Sequence, residues 1–373
     1  MTLIGKERVL TALEHKQPDR APFDLGGSFV TTLNVAAYAR LRRALGLPDR
    51  WQLIREQSQS VLVDEDVRQA LGVDVIGIFE RAPDPEKEIP SAAGVLVSEW
   101  GVTYRKAAGF GGHYTLVASP LQNATLADLE NYPSPDPLAP QRFAGIAEQA
   151  ATLRESPYAV VGNLGWTEIF GMAWYLRGFE TFMLDLAANK EMAHALLRRV
   201  TDFQKARYAR LLELAGHALD VILVCDDMGG QDGLFISPRT YREMIKPYHA
   251  ELLALIQTRT RARVMFHSCG SVVPLLDDFI EVGMDILNPV QVAARGMDTA
   301  ELKKRYGARI SFWGAIDTQR VLPFGSPDDV RAEVRRRVAD LATEGGYVIA
   351  PVHVIQADVA AENVRALADW RLR

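Results

Sequence analysis

The sequence predicts an α/β protein, a (β/α)8 TIM barrel with an N-terminal helical extension and an inserted β-hairpin. Three observations carry that expectation. Short apolar runs alternate with long amphipathic segments along the 373 residues, the order of successive βα units. The runs number about eight, as a closed barrel requires. Many lack polar alternation, as in the consecutive Val221, Ile222, Leu223 and Val224, which suits parallel strands covered on both faces.

In chain order, strands are expected at Ala21–Leu25, Asp74–Phe79, Ala159–Asn163, Asp220–Asp226, Arg263–His267, Asp285–Pro289, Arg309–Gly314 and Tyr347–Val352. Between Asp74–Phe79 and Ala159–Asn163, the stretch Gly94–Val117 breaks the pattern. Val95, Val97, Trp100, Val102 and Tyr104 are followed by Gly109, Gly111 and Gly112, then Tyr114 and Leu116, which reads as the inserted hairpin, about residues 94–118. The Pro-rich Tyr132–Pro140 reads as a surface connection. Leu186–Ala215 is expected as one long helix, because Leu196, Leu197, Val200, Phe203, Tyr208, Leu211 and Leu212 recur near a helical period. Ser237 before Pro238 starts a helix running through Arg239 to Thr260, and Ser326 before Pro327 starts one over Val330–Leu341. In both, serine is the N-cap and proline the first helical residue. No domain boundary or internal repeat stands out, so residues 1–373 are expected to form one domain.

Hydrophobic residues make up 48% and charged residues 24%, ordinary for a globular chain with a large core. A net charge of −5 and the absence of a basic stripe argue against a nucleic-acid partner. Arg335, Arg336 and Arg337 read as a solvated helix face. No apolar run approaches the roughly 18 residues of a membrane span. The first residues carry Lys6, Glu7 and Arg8 rather than the apolar core of a signal peptide. The two cysteines, Cys225 and Cys269, make no disulfide framework and suit a reducing compartment. A cytoplasmic protein is expected.

The chemistry should lie where the strands end, since barrel active sites sit at the C-terminal ends of the strands. Those ends offer Asn163, Asp226 and Asp227, His267-Ser268-Cys269-Gly270, Asn288, Asp317 and His353. His267 and Cys269 are two apart and share one face of a strand. They read either as two ligands of a zinc ion or as a buried thiol beside a hydrogen-bonded imidazole. His353, at the tip of an apolar run, is the best third ligand. Asp226 or Asp227 is a fourth ligand, a base behind the ligands, or a helix cap. Cys225 reads as core packing. Trp166, Trp174, Tyr175 and Trp313 line a pocket or pack the core. His15, His113, His194, His217 and His249 read as surface or structural residues.

Several stretches resemble the uroporphyrinogen decarboxylase superfamily. His267-Ser-Cys-Gly-Ser resembles its H-x-C-G element, especially in the cobalamin-linked methyltransferases. Ala12–Pro22, with Pro18-Asp19-Arg20, is similar to its opening segment, and Tyr175-Leu-Arg-Gly-Phe179 with Asp185 to its mid-chain segment. Gly283–Pro289, Gly314-Ala-Ile-Asp317, Glu344-Gly-Gly-Tyr347, Ala350-Pro351 and Glu362-Asn363 are similar to its later motifs. The resemblance implies a distorted (β/α)8 barrel, and in the methyltransferase branch a zinc held by H-x-C and a later Cys. His353 stands in the position of that Cys. Gly171 stands where a Glu is usual before the Trp-Tyr pair. The true decarboxylases carry an Arg-rich N-terminal element that grips porphyrinogen carboxylates, whereas Phe23-Asp-Leu-Gly-Gly27 has no Arg.

The resemblance therefore implies a zinc-dependent methyltransferase acting between a small methylated donor or thiol acceptor and a corrinoid (cobalamin), with the corrinoid expected on a separate protein. The metal ligands are His267, Cys269 and His353. Asp226, Asp227 and Asp317 are the expected catalytic residues, and Asn163, Trp166, Tyr175, Asn288 and Trp313 the expected substrate contacts. The alternatives are a metal-free lyase of uroporphyrinogen decarboxylase type and a non-catalytic barrel that binds a corrinoid protein. A homodimer is compatible with the resemblance.

Overall fold

A computed structural model describes residues 2–84, 89–107, 114–165 and 168–369. Its strands are β1 (Leu53–Arg55), β2 (Ser60–Val61), β3 (Val75–Phe79), β4 (Val95–Val97), β5 (Thr103–Lys106), β6 (Tyr114–Ala118), β7 (Ala159–Asn163), β8 (Val221–Cys225), β9 (Arg263–His267), β10 (Ile286–Asn288), β11 (Ser311–Ile316) and β12 (Tyr347–Pro351). β3 and β7 to β12 form one parallel sheet, in the order β12-β11-β10-β9-β8-β7-β3, with helices between successive strands. This is the predicted α/β architecture.

The segment Ala21–Leu25 closes the barrel, but as a single bridge rather than a full strand. Phe23 pairs in parallel with Ile349 of β12. The Ile349 amide donates to the Pro22 carbonyl at 2.9 Å, the Asp24 amide to the Ile349 carbonyl at 2.8 Å, and the Asp74 amide to the Phe23 carbonyl at 2.8 Å. The segment thus joins the last strand to the start of β3. Pro22 has no amide to extend the ladder on one side. Gly26, at φ 92°, bends the chain away on the other.

Each barrel strand is apolar on both faces because it has two cores to fill. Val221, Leu223 and Cys225 point into the barrel with Val161, Met265, Ile286, Trp313 and Val348. Ile222 and Val224 point out, toward the helical layer. Val9 and Leu13, on the helix Gly5–Leu13, pack into the interior cluster. Arg8 of that helix pairs with Asp74, just before β3, and Lys6 with Asp220, just before β8. The N-terminal extension therefore seals the end of the barrel where the strands begin.

Three expectations are refined. The inserted hairpin is a three-stranded antiparallel sheet, β4-β5-β6; Gly109, Gly111, Gly112 and His113 lie outside the described residues. The long helix is two, Phe179–Ala188 and Lys190–Ala215. Asn189 breaks it and caps the second, accepting from the Met192 amide at 3.4 Å. The helix after Ser237 contains a π turn at Tyr241–Ile245 ahead of Lys246–Arg259, where Pro247 offers no amide to the regular ladder. No helix among the described residues is long and apolar enough to cross a membrane.

Candidate metal centre

Strand register assembles the centre. β8 and β9 pair Cys225 with His267, and β9 and β10 pair His267 with Asn288. Met265 lies inside the barrel, so His267, two residues on, also faces inward at the strand end. Cys269 follows past the end of β9, where its amide donates to Asp227 Oδ1 at 2.7 Å. Cys269 Sγ lies 3.4 Å from His267 Nε2. The chain turns past the end of β12 to bring in His353, whose ring centroid is 5.7 Å from that of His267. The ligand atoms of His267, Cys269 and His353 all lie within 4.8 Å of one another.

Hydrogen bonds orient these groups. Asn288 Nδ2 donates to the Trp313 carbonyl at 3.0 Å, which leaves Asn288 Oδ1 to accept from His267 Nδ1 at 2.5 Å. Nδ1 therefore carries a proton and Nε2 is the atom offered to Cys269 and the cavity. At His353, burial, with His267 adding to it, pushes the pKa down to about 3, so its imidazole keeps a lone pair at neutral pH. Burial lifts the Cys269 thiol well above its ordinary range, and the Asp227 carboxylate adds to the effect. A thiolate there needs a cation opposite it. The donor set fits zinc: the N···S edge of a tetrahedral site is about 3.6 Å, close to the distance between His267 and Cys269.

His267 and His353 line a cavity of about 260 Å³, and Cys269 Sγ stands beside them. The cavity walls include Asn163, Glu168, Tyr175, Asp227 and Arg55, with Phe29 and Val30 from the segment after Phe23–Gly27. Asn163 Nδ2 donates to the Gly27 and Val161 carbonyls, both at 3.0 Å. Asn163 Oδ1 is buried without a hydrogen-bond partner among the described residues. Tyr175 is stacked on Trp174 at 3.9 Å. Burial raises Glu168 well above the carboxylate range, with Asp227 and Asp226 adding to it. Burial also raises Asp227, against the pull of His267.

The other expected residues stand behind this surface. Asp226 does not line the cavity. Its carboxylate accepts from the amides of Ile169 (3.0 Å), Phe170 (2.7 Å) and Gly171 (2.9 Å), and contacts His249 Nε2 at 2.8 Å. It is a helix cap, and it fixes the chain next to Glu168. Asp317 Oδ1 accepts from the Gln319 and Arg320 amides at 2.7 and 3.0 Å, shaping the turn after β11. Asn288 and Trp313 are fully buried and hold His267 rather than facing the cavity. The Trp313 indole donates to Asp24 at 2.8 Å. Trp166 lies outside the described residues. Cys225, read as core packing, is buried and forms part of the cavity wall.

Sequence reasoning missed Glu168 and Arg55. The Glu that Gly171 lacks has a spatial counterpart: a Cβ at residue 171 would collide with the Glu168 carboxylate. A Glu one helical turn before that glycine was the available signal. Arg55 had none, because it comes from the short ribbon β1–β2, which approaches the barrel only in the folded chain.

The family model for uroporphyrinogen decarboxylase (URO-D) matches residues 101–372. A uroporphyrinogen decarboxylase from Actinobacillus succinogenes is 24% identical over 270 residues, covering 68% of this chain and 69% of the relative. Another, from Alkalilimnicola ehrlichii, is 22% identical over 391 aligned positions, covering 99% of this chain and 94% of the relative. Among solved structures, a methyltransferase from Methanosarcina mazei superposes with a TM-score of 0.69 at 20% identity, covering 99% of this chain and 98% of that one. That likeness is one of fold.

Proposed function

This chain belongs to the uroporphyrinogen decarboxylase family, and from that premise we propose that it is a zinc-dependent methyltransferase. It moves a methyl group between a small methylated donor, or a thiol acceptor, and a corrinoid carrier. The observation that carries the reading is the convergence of the ligand atoms of His267, Cys269 and His353 within 4.8 Å of one another, beside a cavity that His267 and His353 line. A metal-free lyase has no use for that set.

His267, Cys269 and His353 would hold the zinc. When bound, zinc lowers the pKa of a thiol or polarises the heteroatom that carries the methyl. The chain's own residues do the rest. Asn288 keeps His267 Nε2 turned to the cavity. Glu168 holds a proton and gives it to the heteroatom from which the methyl departs, so that the leaving group is released neutral. Asp227 orients the Cys269 backbone. Asp226, through the Ile169, Phe170 and Gly171 amides, positions Glu168. Asn163 Oδ1 accepts a hydrogen bond from substrate, and Tyr175 walls it in. Asp317 and Trp313 serve from behind, by shaping the turn after β11 and by holding Asn288. A cavity of about 260 Å³ takes a small molecule and not a corrinoid, so the carrier belongs to a separate protein that presents it at the mouth.

The test is metal content followed by transfer. Purified protein is expected to carry zinc in about a 1:1 ratio, and the Cys269→Ala variant to lose it. An unchanged zinc content in that variant ends the reading. The family relatives favour a second reading, a decarboxylase. Incubation with uroporphyrinogen tests it, and appearance of coproporphyrinogen would replace the transferase account.

A further inference from the structure

A second chamber of about 790 Å³ adjoins the metal cavity. It lies between the inserted sheet and the barrel helices, with Leu96, Trp100, Tyr104, Met172 and Phe203 as its apolar lining. Arg55 and Gly165 border both spaces and form the neck between them. Beside the neck, Tyr104 of the chamber faces Tyr175 of the metal cavity, with ring centroids 6.2 Å apart. The neck has no room for a side chain at residue 165, where a Cβ would stand 2.9 Å from Arg55 Nη2 and 3.1 Å from Nε.

The charged and polar groups along the chamber are engaged within the chain. Glu99 accepts from Arg142. Arg142 Nη1 and Arg207 Nε both donate to the buried Glu80 at 3.1 Å, and Arg55 reaches Glu80 and the Arg81 carbonyl. The Tyr132 hydroxyl donates to the Trp100 carbonyl at 2.6 Å, and Asp136 accepts the Leu138 amide at 2.8 Å. What the chamber offers a ligand is apolar surface.

The wall of the metal cavity offers an acceptor instead. Asn163 Nδ2 donates to the Gly27 and Val161 carbonyls at 3.0 Å, with the Ile78 carbonyl at 3.4 Å. A flipped amide would set its oxygen against those three carbonyls, so the orientation is fixed. Oδ1 is thereby held as an acceptor, buried and without a hydrogen-bond partner among the described residues. A buried acceptor in that state carries the cost of an unmade hydrogen bond, and a ligand that donates to it removes that cost.

We propose that the two spaces form one binding site for an uncharged molecule with a hydroxyl or N–H donor at one end and an apolar body at the other. The donor meets Asn163 Oδ1 in the metal cavity, and the body passes Gly165 into the larger chamber. An ether or a carboxylate head brings only acceptors to Asn163 and leaves its oxygen unmet. That the ligand is the substrate rests on the methyltransferase reading; the binding site itself does not.

The test is calorimetric titration of the full chain, with no corrinoid present, using 4-butylbenzyl alcohol, its methyl ether, 4-butylbenzoate and unsubstituted benzyl alcohol. The butylated alcohol is expected to bind about tenfold or more tighter than either its ether or the benzoate. It should also bind about tenfold or more tighter than benzyl alcohol, at roughly fourfold per buried methylene. Gly165→Val, which blocks the neck, and Leu96→Trp, which fills the chamber, should each remove most of the gain from the butyl chain and leave benzyl alcohol little changed. Asn163→Leu should bring the alcohol and its ether to equal affinity; if that variant does not fold, the ligand series on the natural protein decides by itself. An ether or benzoate that binds as tightly as the alcohol, a butyl gain preserved in both chamber variants, or no binding of the alcohol at millimolar concentration would each overturn the proposal. Because none of these readouts uses zinc content or methyl transfer, a failure here is distinct from a failure of the zinc measurement.

Discussion

Asn288 Oδ1 accepts from His267 Nδ1 at 2.5 Å, and the other end of the same amide is tied to the Trp313 carbonyl. The tautomer of a metal-binding histidine is commonly set by the partner of its second nitrogen. Asn288→Ala is therefore expected to fold normally and to bind zinc about 10- to 100-fold more weakly. Competition against a chromogenic chelator measures this, and unchanged affinity would show that Asn288 does not orient the ligand.

His353 stands where the resemblance implies a cysteine. Zinc accepts either ligand, so His353→Cys should retain about one zinc per chain, whereas His353→Ala should lose it. Metal analysis after dialysis separates the three proteins. Full zinc in His353→Ala would remove residue 353 from the ligand set.

Glu168 lines the cavity together with Asp227, His267 and His353. Glu168→Gln should keep zinc and the thermal melt while lowering the transfer rate by about 100-fold or more, the scale of general acid catalysis. The rate is followed by the absorbance change of the corrinoid. A rate within a few-fold of the parent protein would assign the proton to another group.

Glu80 neutralises a cluster of buried arginines. Removing one partner of such a cluster leaves uncompensated charge, at about 3–5 kcal/mol. Glu80→Ala is expected to lose stability on that scale in a urea titration. A loss below about 1 kcal/mol would mean that water reaches Arg142 and Arg207 in place of the carboxylate.

Asp24 is fully buried against Trp313. Burial, opposed by hydrogen bonds from Thr31, Trp313 and Gly27, lifts its pKa from 3.8 to about 6. The folded state therefore holds the proton more tightly than the unfolded one. Below about pH 4 both states are protonated and the residue carries no penalty. The penalty grows between about pH 4 and 6 and is complete above, at about 3 kcal/mol. Asp24→Asn has no such titration, so the stability of the natural protein relative to that variant should fall by up to that amount from pH 4 to 7.5. Parallel urea curves for the pair would expose the idea as wrong.

The sequence by itself determined the layers of this protein and much of its barrel mouth. A strand has a period of two. Once Val221, Leu223 and Cys225 face inward, Asp227 must do so and Asp226 must not. The same count sends Asn163, His267 and Asn288 inward, and their roles divide only by what lies beside them. Asp226, taken as a candidate acid or base, becomes a helix cap because the opposite face of β8 meets the start of the helix Phe170–Arg177.

Tertiary structure decided what lies off the strands. His353 comes after the last paired residue of β12, where the period no longer applies, and only the turn of the chain brings its ring to His267. Glu168 reaches the site because a helix start is pinned to Asp226 by three amides. Arg55 arrives from residues distant in sequence, on a ribbon whose position depends on Gly165 leaving room for it. Local periodicity encodes which way a side chain points from a regular element. Convergence of groups from turns and separate segments depends on long-range packing, which no local pattern records.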